Sequence, residues 1–193
     1  MQFINEKKIK LEKPLNELDK LVLRFVNLLK KHIDYVIISG YVSLLLGRTR
    51  ATEDVDVYLK FMNLEDFSKL YQDLLNNGFE CLNATQTMEV YNYLKDGLAV
   101  RFALKGDIIP NFEVKFVRKN IDLGIFEESI DVETEGGIIK ISSLERQIAF
   151  KRYYLGSEKD LEDARYVEEL AKGHLNKEKI EYYKRLIKEL MKE

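Results

Sequence analysis

Two carboxylates two positions apart, Asp54 and Asp56, are the residues of this chain best suited to chemistry. In the segment EDVDVYLK they alternate with Val55 and Val57, which predicts a strand with both carboxylates on one face. Like charges held this close repel each other, but two neighbouring carboxylates bind a divalent cation well. We therefore predict a metal site on this face, and the alternative is a solvated strand edge.

A phosphate-binding turn is predicted shortly before the acidic pair. The run YVIISG predicts a buried strand that ends at Gly40, and YVSLLLG predicts a short helix that ends at Gly47. A glycine at a helix start lets backbone N–H groups approach a phosphate, so phosphate and cation would bind side by side. Arg48 and Arg50 follow the helix and are able either to bind a phosphate or to cap the helix.

The order of these residues resembles the nucleotidyltransferase superfamily, which has the DNA polymerase β-like fold. Its members carry a hydrophobic residue, Gly, then Gly or Ser, and roughly ten residues later Asp-hydrophobic-Asp/Glu-hydrophobic. Ser39-Gly40-Tyr41 and Asp54-Val55-Asp56-Val57 occupy those places here. The stretch RTRATEDVDVYL is especially similar to a stand-alone prokaryotic branch that includes toxin- and antitoxin-associated members, in which an Arg and a Thr precede the acidic pair.

Tyr41 departs from the superfamily pattern, because it stands where the second small residue is expected. We expect its bulk to alter the phosphate pocket, so that Ser39 or Ser43 supplies the hydroxyl group.

The resemblance also implies a third carboxylate on a later strand between apolar residues. Glu113, between Phe112 and Val114, has this form, and Glu89 in MEVYNYL is a competitor of the same form. With Asp56, the third carboxylate would help to deprotonate the attacking hydroxyl. Alternatively, Glu113 belongs to the polar face of an alternating strand.

The C-terminal part of the chain carries a weaker part of the resemblance. In AFKRYYLGSEKDLEDARYVEEL, the family's Lys, Lys-Asp pair and second Asp correspond to Lys151, Lys159, Asp160 and Asp163. Either lysine would neutralise triphosphate charge, and Asp160 would orient one of them. The alternative is ordinary helix-surface charge, which for Asp163 is at least as good an interpretation.

The activity implied by the resemblance is transfer of a nucleoside monophosphate from an NTP to a hydroxyl group, with Mg²⁺ or Mn²⁺ as cofactor. The acceptor would be a protein, an RNA or a small molecule. The implied metal ligands are Asp54, Asp56 and Glu113, and the implied nucleotide contacts are Ser39, Gly40, Ser43, Arg50, Lys151 and Lys159. A degenerate binding module and a toxin–antitoxin component with a cognate partner are the alternatives.

The predicted helices and strands that must position these residues are interspersed along the chain. Apolar periodicity predicts helices over 15–32 and 63–77. The stretches MEVYNYL, LAVRFAL and NFEVKFV predict strands, with a hairpin turn at Asp96-Gly97, and EGGIIKI predicts one more strand. Three helices follow, with capping boxes predicted from Ser142 to Glu145 and from Ser157 to Asp160.

The fold class predicted from this order is α+β. We expect a nucleotidyltransferase-like mixed β-sheet flanked by helices over residues 1–141, with a C-terminal helical segment over 142–193 packed on it.

Composition excludes several other classes of protein. Lys and Arg number 31 and Asp and Glu 33, so the net charge of −2 gives no overall attraction for nucleic acid. The single Cys81 and the distant His32 and His174 argue against a zinc centre. No apolar run approaches the roughly 18 residues of a membrane span, and the first residues lack a secretory signal, so we expect a cytoplasmic protein with no membrane partner.

Overall fold

The computed structural model describes residues 1–117, 122 and 124–192. Within these residues the strands are β1 (Gln2–Asn5), β2 (Lys8–Lys10), β3 (Tyr35–Ile38), β4 (Asp54–Leu59), β5 (Phe79–Cys81), β6 (Val100–Leu104), β7 (Asn111–Phe116), β8 (Ile130–Thr134) and β9 (Gly137–Ile141). The helices are α1 (Glu17–Leu29), α2 (Gly40–Leu45), α3 (Leu64–Asn76), α4 (Thr87–Lys95), α5 (Leu144–Phe150), α6 (Glu158–Leu170) and α7 (Lys177–Leu190), and a π-helical turn (Lys151–Leu155) follows α5.

The described strands form one mixed sheet in the order β1-β2-β8-β9-β3-β4-β7-β6-β5. At its centre β4 runs antiparallel to β3 and parallel to β7. This architecture confirms the predicted α+β class, a mixed sheet flanked by helices with a helical C-terminal segment. The division at residue 141 stays a prediction, although β9 ends there and α5 begins at Leu144.

One face of β4 and β7 is buried in the apolar core. Val55, Val57 and Leu59 are each at most 1% exposed. The ring of Phe25 in α1 stacks on Phe112 of β7 at 3.9 Å between centroids, so α1 covers this face. A slip of one residue in the register would bury Asp54 and Asp56 in the core instead, and the apolar positions therefore fix the carboxylates on the opposite face.

Helix α1 forms as the periodicity predicts, although it is shorter than 15–32 at both ends. Asn16 caps it, since its side chain accepts a hydrogen bond from the backbone N–H of Asp19 and the Asp19 side chain bonds back to Asn16. Such a cap contributes about 1 kcal/mol. Helix α3, Leu64–Asn76, confirms the second predicted helix.

The stretch MEVYNYL is helix α4, so the predicted strand was wrong. Val90, Tyr91 and Leu94 are buried, and Leu94 lies about one helical turn beyond the other two, whereas the sequence alternation of Val90 and Leu94 with polar residues fits a strand equally well. The predicted hairpin at Asp96-Gly97 was also wrong. Asp96 is the C-cap of α4, and Gly97, with φ of 83°, ends the helix.

The C-terminal segment contains the three predicted helices. Ser157 caps α6 as predicted, but α5 is capped by Ser143 rather than Ser142. The Ser142 hydroxyl instead contacts Gln147. The predicted last helix extends to residue 193, which lies outside the described residues, and α7 ends at Leu190. None of the helices in the described part of the chain has the length and apolarity needed to span a membrane.

Candidate active site

A cleft of about 450 Å³ lies between the polar face of the sheet and the C-terminal helices. Asp56 and Tyr58 of β4 and Lys115 of β7 line the sheet side. The opposite wall comes from α5 and the π-helical turn and contains Arg146, Gln147, Phe150, Lys151, Tyr154 and Leu155. The cleft thus has an apolar and aromatic part beside a group of charged side chains, the usual composition of a small-molecule site.

Asp54 and Asp56 lie on the same face of β4, as predicted, and Asp56 is paired in register with Glu113 of β7. Burial, followed by the charges of Asp54 and Glu113, raises the pKa of Asp56 to about 6, although a hydrogen bond from Ser39 and the charge of Lys115 oppose the increase. The three carboxylates are therefore close enough to repel each other. A cation at Asp54 and Asp56 would relieve this repulsion.

Glu113 is held by two cations. Its carboxylate lies 2.6 Å from Lys115 Nζ and 3.2 Å from Arg101 Nη2. Burial alone would raise the pKa of Glu113, but the hydrogen bonds and charges of Lys115 and Arg101 outweigh it and hold the pKa below its ordinary value. Within residues 1–117, 122 and 124–192, no three His, Cys, Asp or Glu side chains form a compact metal-binding cluster.

The turn between β3 and α2 contains the one positive φ angle of a non-glycine residue in the described chain. Ser39 has φ of 62° and ψ of −133°, values that favour glycine. Gln147 of α5 binds both polar groups of this residue's backbone: its Oε1 accepts from Ser39 N at 3.2 Å, and its Nε2 donates to Ser39 O. The glycine-like position of the turn is therefore Ser39 rather than Gly40.

Tyr41 does not enter the cleft. Its side chain is fully buried, and its hydroxyl donates to Asp19 Oδ1 at 2.8 Å. Lys13 Nζ lies 3.0 Å from the other oxygen of Asp19, so the buried carboxylate is paired. The expected alteration of the phosphate pocket by Tyr41 was therefore wrong, because the side chain points into the core beside α1.

Arg50 lies against the start of α2. A Cβ atom added to Gly40 would meet Arg50 Nη2 at 3.1 Å, so the guanidinium group is in contact with this glycine. A larger residue at position 40 would displace the arginine. The guanidinium group of Arg50 is thus beside the predicted phosphate-binding turn, whose phosphate site stays a prediction.

Asp163 of α6 joins the cations of this region. It is fully buried and forms ion pairs with Arg48, Arg50 and Lys151, the last at 2.7 Å. Lys151, also buried, lies 2.9 Å from Asp160 as well. The interpretation of Asp163 as helix-surface charge was therefore wrong, since a buried carboxylate with three cationic partners fixes their positions.

Three other candidates lie elsewhere. Ser43 is fully buried in α2, where its hydroxyl has no hydrogen-bond partner among the described residues. Lys159 is exposed in the first turn of α6. Glu89 is exposed on α4 and interacts with Tyr93, which removes it as a competitor of Glu113. None of the three lines the cleft.

Gln147 is the main residue that sequence reasoning missed. It is buried, lines the cleft and precedes Lys151 by four positions on the same helical stretch. Residues at this spacing share a helix face, so the assignment of Lys151 to the cleft also predicts that Gln147 faces the cleft.

Comparison with solved structures identifies the fold. The chain resembles an antigenic nucleotidyltransferase-like protein from Paracoccidioides brasiliensis at 18% identity and a TM-score of 0.54, over 90% of this chain and 88% of the other. It also resembles the antibiotic-resistance factor ANT(2'')-Ia in solution at 15% identity and a TM-score of 0.56, over 90% and 94% of the two chains.

A crystal structure of ANT(2'')-Ia with adenylyl-2''-tobramycin gives 14% identity and a TM-score of 0.55, over 90% and 97% of the chains. No protein-family model matches the sequence, and no curated protein matches it significantly. The chain has the nucleotidyltransferase fold predicted from Ser39, Gly40, Asp54 and Asp56.

Proposed function

We propose that this protein transfers a nucleoside monophosphate from an NTP to a hydroxyl group. The observation that carries the proposal is the convergence of Asp56, Ser39 and Lys151 on one cleft within a nucleotidyltransferase fold. Each comes from a different element, and together they offer a metal ligand, a tight turn and a cation to the same small volume. This is the donor set that an NTP with a divalent cation requires.

The metal ion of the proposed reaction is Mg²⁺ or Mn²⁺. Asp54 and Asp56 fit such an ion, because they are hard oxygen ligands on one face of β4 and the pKa of Asp56 is raised by burial and by its acidic neighbours. When bound, the ion would offset negative charge on the phosphates. Glu113 is a less complete fit as a ligand, since both of its oxygens already contact cations.

The phosphates of the NTP would contact Arg50 and Lys151, which Asp163 holds in position beside the Ser39-Gly40 turn. Attack of the acceptor oxygen on the α-phosphorus forms one P–O bond and breaks the bond to the β-phosphate oxygen, so pyrophosphate leaves with the electron pair. Asp56 or Glu113 would accept the hydroxyl proton. Fixed cations that face the developing charge need no reorganisation during the reaction.

The nucleoside base would occupy the apolar part of the cleft, against Phe150 and Tyr154. Stacking on aromatic side chains contributes about 1–3 kcal/mol per base and tolerates different bases. ATP is the first nucleotide to test, because the bound product in one structural neighbour carries an adenylyl group. That product also makes a small-molecule hydroxyl the first acceptor class to test.

A thermal-shift experiment with each of four NTPs, with and without Mg²⁺ or Mn²⁺, tests the nucleotide site. Stabilisation that requires both metal and nucleotide, is lost in Asp54→Asn and persists in Asp107→Asn supports the proposal. Asp107→Asn makes the same chemical change at an exposed turn position. If no nucleotide stabilises the protein under any of these conditions, the proposal is wrong, and a partner-binding module or a toxin–antitoxin component becomes the better interpretation.

Transfer is then measured with an α-³²P-labelled NTP. Label appearing on an added hydroxyl compound together with free pyrophosphate is the expected result. Tight binding of the metal-nucleotide complex with no release of pyrophosphate in the presence of protein, RNA and small-molecule acceptors would show a degenerate enzyme.

A further inference from the structure

Ser39 holds a backbone conformation that a residue with a Cβ atom rarely adopts. Its φ of 62° lies at the junction of β3 and α2, next to Gly40 and the Arg50 guanidinium. Unusual backbone conformations persist only where the surroundings hold them, and they cluster at ligand-binding positions. Gln147, from the opposite wall of the cleft, holds this conformation by hydrogen bonds to both polar groups of the Ser39 backbone.

Gln147 is well placed to fix the turn. It is 4% exposed, and its amide makes two hydrogen bonds to the same residue's backbone, one as donor and one as acceptor. The Ser142 hydroxyl also donates to Gln147 Oε1 at 3.2 Å, which orients the amide. This pattern requires both an acceptor and a donor at the end of the side chain, so neither Glu nor Met reproduces it.

Ser39 and Asp56 both line the cleft, so the turn and the acidic pair face the same volume. Glycine would adopt the conformation of the turn more easily, and the Cβ atom of serine is the reason that the turn needs a partner to hold it.

We propose that Gln147 is a positioning residue that holds the Ser39 turn in the conformation that binds the NTP phosphates. The proposal rests on the proposed function, since the ligand of the turn is the nucleotide. It also makes helix α5, the first helix of the C-terminal segment, necessary for the phosphate-binding geometry of the turn between β3 and α2. Gln147 acts through Ser39, and its effect therefore depends on which residue occupies position 39.

The test combines Gln147→Met with two substitutions at position 39. Ser39→Ala removes the hydroxyl but keeps the Cβ atom that disfavours positive φ, whereas Ser39→Gly removes both. We expect Gln147→Met to weaken binding of Mg-ATP about tenfold in the wild-type and Ser39→Ala backgrounds, because two hydrogen bonds are lost. In the Ser39→Gly background the loss should be about threefold or less, since glycine keeps the turn without assistance.

Gln72→Met is the matched control, because it makes the same change on the exposed face of α3 and should leave binding unchanged. An equal loss of affinity from Gln147→Met in all three backgrounds would overturn the proposal. It would show that Gln147 acts on the nucleotide or on packing rather than through Ser39.

A ligand-free measurement separates this proposal from the proposed function. The same variants are unfolded in urea without nucleotide, and the midpoint shift caused by Gln147→Met should again be smaller with Ser39→Gly than with Ser39→Ala. If wild-type protein binds no NTP while this dependence on position 39 is present, the proposed function fails and the role of Gln147 in holding the turn stands. Equal midpoint shifts in both backgrounds would refute that role directly.

Discussion

Replacing Asp56 with Asn should stabilise the protein at neutral pH. Burial and the charges of Asp54 and Glu113 raise the pKa of Asp56 from its ordinary value of 3.8 to about 6 in the folded state. The folded protein therefore binds this proton more tightly than the unfolded chain does. Protonation of Asp56 therefore stabilises the folded state. This stabilisation is fully present below pH 3.8 and is lost as the pH rises through 6.

The size of the effect follows from the same values. The difference between the pKa values of 3.8 and about 6 corresponds to a change of at most about 3 kcal/mol in the free energy of unfolding. Solvent screening of the partly buried Asp56 reduces this change to about 1–2 kcal/mol. Urea unfolding at pH 7.5 should show Asp56→Asn more stable than wild type by that amount, with a much smaller difference at pH 4. Added Mg²⁺ should stabilise the wild type and leave Asp56→Asn unchanged.

Asp107→Asn is again the control, and it should leave the free energy of unfolding at both pH values within about 0.5 kcal/mol of wild type. A variant Asp56→Asn that is less stable than wild type at pH 7.5 would refute the reasoning. The carboxylate would then be a structural group that the fold needs in its charged form.

The remaining predictions concern the buried charges. Asp163→Asn should lower the free energy of unfolding by about 3–5 kcal/mol in urea, because three cations lose their shared partner, and a loss below 1 kcal/mol would contradict its role. Lys159→Ala should change stability by less than about 0.5 kcal/mol, and a larger change in the same assay would show a contact that its exposure does not indicate. Tyr41→Phe should cost about 1–2 kcal/mol through the lost bond to Asp19 while leaving Mg-ATP affinity unchanged, and weakened affinity would place Tyr41 in the nucleotide site after all.

The central part of the fold was predictable because the local signals are strong there. Alternation along Asp54–Leu59 gives a strand whose carboxylates share a face, and the stripe containing Val22, Phe25 and Leu29 gives α1. The stretch MEVYNYL was not predictable in the same way, because its apolar residues fit periods of both two and 3.6. The short strands β1, β2 and β5 have three or four residues each, too few for a period to be visible.

The site was only partly predictable, because several of its contacts join distant parts of the chain. The family pattern locates Asp54, Asp56 and Gly40, but it does not show that Gln147 binds the backbone of Ser39. The direction in which a side chain points was a second difficulty. A tyrosine in the pattern predicted a crowded pocket, whereas the turn points the Tyr41 side chain into the core.

The large sequence separation within the cleft has a consequence for when the site appears during folding. Ser39 and Gln147 are 108 residues apart, and Arg48 and Asp163 are 115 apart. Contacts of this range form late, because the entropy of closing the intervening loop is lost before they contribute stability. During synthesis the sheet strands β3, β4 and β7 emerge well before the π-helical turn and α6, so a nascent chain has the acidic pair and Arg50 without Lys151 and Asp163. Competence to bind a nucleotide and completion of the fold should therefore be reached together.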